Sequence, residues 1–113
     1  MLRTMFFIGN SQNFHDLKSD EIKGVLDIFI ETLGKFQETF GAKIIASFDD
    51  DQMMVGPSEG WPWTAYIIAD VPDLDSVFKI CGLFRDTAVG DSRLWKYGRI
   101  QARVGRTLMG LDN

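Results

Sequence analysis

At 113 residues, with 45% hydrophobic and 25% charged side chains, the chain has the make-up of one globular domain and not of a disordered segment. Its net charge of −4 opposes a nucleic-acid partner, whose phosphates call for a basic field; the clustering of Arg93, Lys96, Arg99, Arg103 and Arg106 matches no nucleic-acid motif. One cysteine and one histidine exclude an intrachain disulfide and a zinc site of the usual N/S type.

No apolar run approaches the ~20 residues of a membrane span. Residues 5–8 are too short for a secretory leader, so the expected compartment is the cytoplasm, with no membrane partner.

In chain order, residues 3–9 are rich in Phe and Ile and bounded by Gly9-Asn10, which predicts a first strand. Residues 10–18 are polar and connective. A helix is predicted from Ser19 as N-cap, with Asp20 and Glu21 in the first turn complementing the helix dipole. Ile22, Val25, Leu26, Phe29, Ile30 and Leu33, continued by Phe36 and Phe40, mark its apolar stripe, and Gly41 closes it.

Residues 43–48 read as a second strand, stopped by Asp49, Asp50 and Asp51. That acidic run lacks the alternating ligand spacing of a calcium loop and reads as a solvated turn. Residues 52–62 form a long connection with room for a short strand at 53–55. Residues 63–71 are a third strand, apolar on both parities, which implies burial on both faces. Asp73 is the expected N-cap of a second helix with Leu74, Val77, Phe78, Cys81 and Phe84 on its stripe; Ile80 and Leu83 fall off it.

Residues 94–106 read as the last strand. Alternation places Trp95, Tyr97, Arg99, Gln101 and Arg103 on one face, and Gly98, Ile100, Ala102 and Val104 on the other. The second set is an ordinary core face directed to the helices. The first is a row of aromatic and cationic groups directed away from them.

The resulting order, β-α-β-β-α-β, predicts an α+β, ferredoxin-like domain over 1–113: a four-stranded antiparallel sheet with both helices on one face. The other face needs a cover, and a second copy packed sheet to sheet is the economical one. In length and order the chain resembles the dimeric α/β-barrel superfamily. Gly60-Trp61-Pro62-Trp63-Thr64, Ala69-Asp70-Val71-Pro72-Asp73, Leu94-Trp95-Lys96-Tyr97 and Ala102-Arg103-Val104-Gly105-Arg106 are in addition similar to segments of IacB-type proteins of indole-3-acetic acid catabolism. The first resemblance implies a homodimer with a small-molecule pocket between each sheet and its own helices. The second implies a cytoplasmic role in aromatic catabolism without a settled reaction.

Trp61, Trp63, Tyr66, Trp95 and Tyr97 are the candidate pocket aromatics, or else packing groups at strand ends. Arg99 and Arg103 need carboxylates. Asp49 and Asp70 at strand ends would supply them across an interface, or a ligand carboxylate would do so within a site. His15 is the one side chain suited to acid–base work near neutrality, or a solvated loop residue. No phosphate-loop, dinucleotide, nucleophile-elbow or zinc-protease pattern occurs, so no cofactor or metal is expected. Three functions stay open: a cofactor-independent monooxygenase or isomerase acting on a small aromatic acid, a binding or accessory module, and a purely structural dimer.

Overall fold

A computed structural model describes residues 1–56 and 63–111. The elements are β1 (Leu2–Asn10), a one-turn helix α1 (Gln12–His15), α2 (Ser19–Glu38), β2 (Lys43–Asp49), β3 (Ala65–Val71) and α3 (Leu74–Asp86). They continue with a small hairpin of β4 (Ala88–Val89) and β5 (Ser92–Arg93), a 3-10 turn (Leu94–Lys96) and β6 (Gly98–Gly105). Four strands form one antiparallel sheet in the order β2-β3-β1-β6, an α+β arrangement compatible with the ferredoxin-like expectation. Among the described residues, no helix is long and apolar enough to cross a membrane.

Alternation along the strands separates the two sheet faces. Thr4, Phe6 and Ile8 of β1 and Ile67, Ala69 and Val71 of β3 are buried against the helices. From α2 come Val25, Phe29, Thr32 and Phe36, and from α3 Val77, Ile80 and Phe84. Phe6 and Phe36 meet at 5.0 Å between ring centroids, and Phe29 and Phe84 at 5.8 Å. Each such side chain contributes about 1.5–3 kcal/mol by leaving water. Thr32 escapes a desolvation penalty because its hydroxyl donates to the Ile28 carbonyl at 2.7 Å.

Several expectations shift by a residue or two. Lys18, not Ser19, is the N-cap of α2; its backbone N–H donates to the Glu21 carboxylate at 3.1 Å. The helix ends at Glu38, and Gly41 takes the left-handed φ of +68° just beyond it. Residues 53–55 carry no strand. Asp73 caps α3 as predicted, accepting from Ser76 N–H at 2.8 Å. The stripe of α3, however, is rotated: Ile80 is fully buried while Phe78 is 70% exposed.

Residues 94–106 are not one strand. Leu94 turns fully into the core, which requires a 3-10 turn before the chain re-enters the sheet at Gly98. The turn is pinned from the end of β1. Ser11 N–H donates to the Tyr97 carbonyl at 2.9 Å and Ser11 Oγ to the Lys96 carbonyl at 2.6 Å. The predicted row of five is therefore cut to Arg99, Gln101 and Arg103, with Trp95 and Tyr97 outside β6.

Candidate functional site

The helix layer does not reach across the whole sheet. Leu26, Ile30, Leu33 and Gln37 follow one another at spacings of four, three and four, so they share one flank of α2. Gln37 Oε1 accepts from the Ile44 N–H at 3.4 Å, which shows that this flank faces β2. Yet β2 stays exposed along nearly its whole length, and Ile30 is 68% exposed. Between the flank and the strand lies an open cleft of about 390 Å³ floored by Ile8, Leu33, Ile44, Ala65 and Ile67. Ser47 and Asp49 share this side of β2 because they pair with Ile67 and Ala65, and Phe48 and Tyr66 border the cleft.

A bulge between Ile44 and Ala46 sets that arrangement. Its extra residue reverses the parity of β2, so Ile44, Ser47 and Asp49 line the helix side. Asp49 is held in place by accepting from the Asp51 N–H at 3.2 Å. The Tyr66 hydroxyl is placed to donate to Asp50 Oδ2 at 3.0 Å or to the Trp63 carbonyl at 3.1 Å. Burial first, and the neighbouring Asp50 second, push the Tyr66 phenol above its ordinary value, so it stays protonated at neutral pH.

The opposite, helix-free face carries an aromatic row. Tyr66 pairs directly with Phe7 on β1 and with Phe48 on β2. Their rings lie 5.8 Å and 5.0 Å apart, and Trp63 adds a fourth ring 6.1 Å from Phe7. Arg103 Cζ sits 5.8 Å from the Phe7 centroid, and Gln101, with its amide turned to suit, accepts from Arg103 Nε at 3.1 Å. Within the chain Asp70 pairs with Arg3: it accepts from Arg3 Nε at 2.8 Å, and that guanidinium holds its carboxyl below the usual carboxylate range.

The structure thus divides the predicted site residues among separate places. Trp63, Tyr66 and Arg103 meet on the open face through Phe7. Trp95, 43% exposed, stacks instead under Arg99 at 4.5 Å, with Arg85 of α3 at 6.0 Å. Arg99 Nη1 also donates to the Trp95 and Gly98 carbonyls. Tyr97 is half-buried against the core. His15 is exposed on α1, edge-on to Phe14 at 5.8 Å, and Asp16 accepts from Gln12 and not from it. Trp61 lies outside the described residues.

Phe7, Phe48, Leu33, Ile44, Ser47 and Asp49 were not among the predicted site residues. A signal for Phe7 exists in β1, where Met5 and Phe7 make the second parity apolar as well. None exists for the cleft, because the bulge that builds it has no sequence mark. Burial raises the Cys81 thiol above its ordinary value, which disfavours the thiolate. Among the described residues no group of three or more His, Cys, Asp or Glu could hold a metal ion. A scan of protein-family models, a search of curated proteins and a search of solved structures each found no match.

Proposed function

We propose that the protein is a cytoplasmic homodimer that binds a small aromatic acid without a cofactor, with a place in indole-3-acetic acid or related aromatic catabolism. The observation that carries ligand binding is the apolar cleft of about 390 Å³ between α2 and β2. Its size and lining suit a small ring system. The ring rests on Ile8, Leu33, Ile44 and Ile67, and a ring N–H finds an acceptor in Asp49. The ligand carboxylate stays at the open mouth, away from Asp49 and within reach of the Ser47 hydroxyl. Arg99 and Arg103 project from the other sheet face, so their charges serve the dimer interface in this reading.

A thermal-shift titration tests it. Indole-3-acetate at 100 times its dissociation constant should add about 2.7 kcal/mol to the stability of the wild type. Leu33→Trp, which fills the cleft, should abolish the shift. A wild type whose Tm responds to neither indole-3-acetate nor phenylacetate would end this reading.

One observation favours a second reading, a non-catalytic accessory protein or structural dimer, over a monooxygenase or isomerase. Among the described residues, the cleft holds Asp49 as its titratable side chain; Tyr66 borders it with its ring packed on the other sheet face, and His15 does not line it. Incubation of the complex under air separates the two: turnover of bound ligand supports the enzyme, and quantitative recovery supports the binder.

A further inference from the structure

The charge of this chain is strongly polarised along the sheet. Residues 85–106 hold six cations against two carboxylates, a net of +4, so the rest of the chain carries −8 of the total −4. The basic segment comprises the end of α3, the hairpin and β6, one edge of the sheet. Asp49, Asp50 and Asp51 stand at the other edge, where β2 ends.

The two charged groups also share a level along the strands. Arg99 of β6 pairs with Gly9 of β1. Asp50 N–H donates to the Thr64 carbonyl at 3.1 Å, and Thr64 N–H to the Ile8 carbonyl at 2.9 Å. Arg99 and Asp50 therefore mark the two ends of one transverse line across the sheet. By register Arg99 lies on the open face, where its guanidinium rests on Trp95 and the Trp95 and Gly98 carbonyls and would turn outward to meet a partner, and Asp50 is held there by the Tyr66 hydroxyl.

Resting on the homodimer reading above, we infer that two copies stack open face to open face about a twofold axis parallel to the strands, so that the cationic β6 edge of each crosses the acidic β2 edge of the other. That operation keeps height along the strand and exchanges the edges, which brings Arg99 of each copy opposite Asp50 of its partner. Phe7 and Tyr66, on the two central strands, then fill the middle of the interface, and Phe48 of each copy faces the β6 edge of the other at the level of Gln101. Stacked sheets lie about 10 Å apart, a gap that an arginine and an aspartate side chain span together. The other face-to-face choice, with the axis across the strands, sets β6 on β6 and packs arginines against arginines. Like charges facing each other across an interface disfavour it.

Charge reversal with mixing tests the geometry. Arg99→Glu and Asp50→Lys should each raise the dimer dissociation constant about tenfold to a hundredfold in sedimentation equilibrium, because each homodimer repeats the repulsive pair twice. An equimolar mixture of the two variants should form a heterodimer near wild-type affinity, since both of its contacts are complementary. Circular dichroism and melting of each variant confirm folding, and Arg99→Gln, which removes the attraction without adding a repulsion, replaces Arg99→Glu if the latter unfolds. A β6-on-β6 dimer would instead be strengthened by either Arg99 substitution. That result, or a mixture no tighter than its components, overturns the inference while leaving the homodimer standing. A wild type that stays monomeric overturns the homodimer itself.

Discussion

Single residues here are constrained mainly by what the fold brings against them. Gly98 opens β6 at the point where both helices press on the sheet. A Cβ added there would lie 2.5 Å from Phe29 Cζ and 3.2 Å from Phe84 Cε2. Both rings are buried, so neither can swing clear without disturbing the core. Gly98→Ala should lower the unfolding free energy by about 1–3 kcal/mol, the usual cost of overpacking. Urea denaturation measures it, and an unchanged midpoint would show that the rings yield. The sequence places Gly98 on the core face of a strand, which is correct, but the two rings it admits come from elements ~70 and ~14 residues away in the chain.

At the level of elements, legibility followed locality. The N-cap Asp73 and the helix it opens depend on contacts within a few residues, and both were readable. Its carboxyl is held below the ordinary value of 3.8, chiefly by the Ser76 backbone N–H. A depressed folded-state value means that the cap stabilises the protein above the unfolded-state value and loses that contribution as pH falls through the folded one. Asp73→Ala should therefore lower Tm by a few degrees at pH 7, and the difference should shrink as the pH is taken below about 4. A gap in Tm that is the same at pH 7 and pH 3 would contradict the charge-assisted cap. The rotated stripe of α3 is the counterexample. Val77 and Phe84 fit an apolar face containing either Phe78 or Ile80, and only the position of the sheet selects Ile80. Residues 94–106 failed likewise, since alternation over β6 is real but Leu94 needs the core more than Trp95 needs the row.

The whole molecule is a thin slab, 47 × 35 × 19 Å, one layer of sheet and one of helices. Its radius of gyration of 14.9 Å exceeds the about 13 Å of a compact chain of this length, in keeping with a layer left uncovered. In the proposed dimer the second copy would bind the folded state alone, so Tm should rise with protein concentration over the micromolar range and less steeply at high salt. Scanning calorimetry at several concentrations checks this, and a concentration-independent Tm would count against the dimer. By itself the sequence determined the order of the four sheet strands and the two long helices, the Asp73 cap, the sheet's two unequal faces and the basic C-terminal strand, because periodicity and local hydrogen bonding set these within short windows. Only the tertiary structure decided that Arg99 and Arg103 stand across the sheet from the cleft, that Trp95 leaves the row, and that a bulge in β2 turns Asp49 toward α2. Each of these depends on register and packing between strands far apart in the chain, where a shift of one residue exchanges the faces.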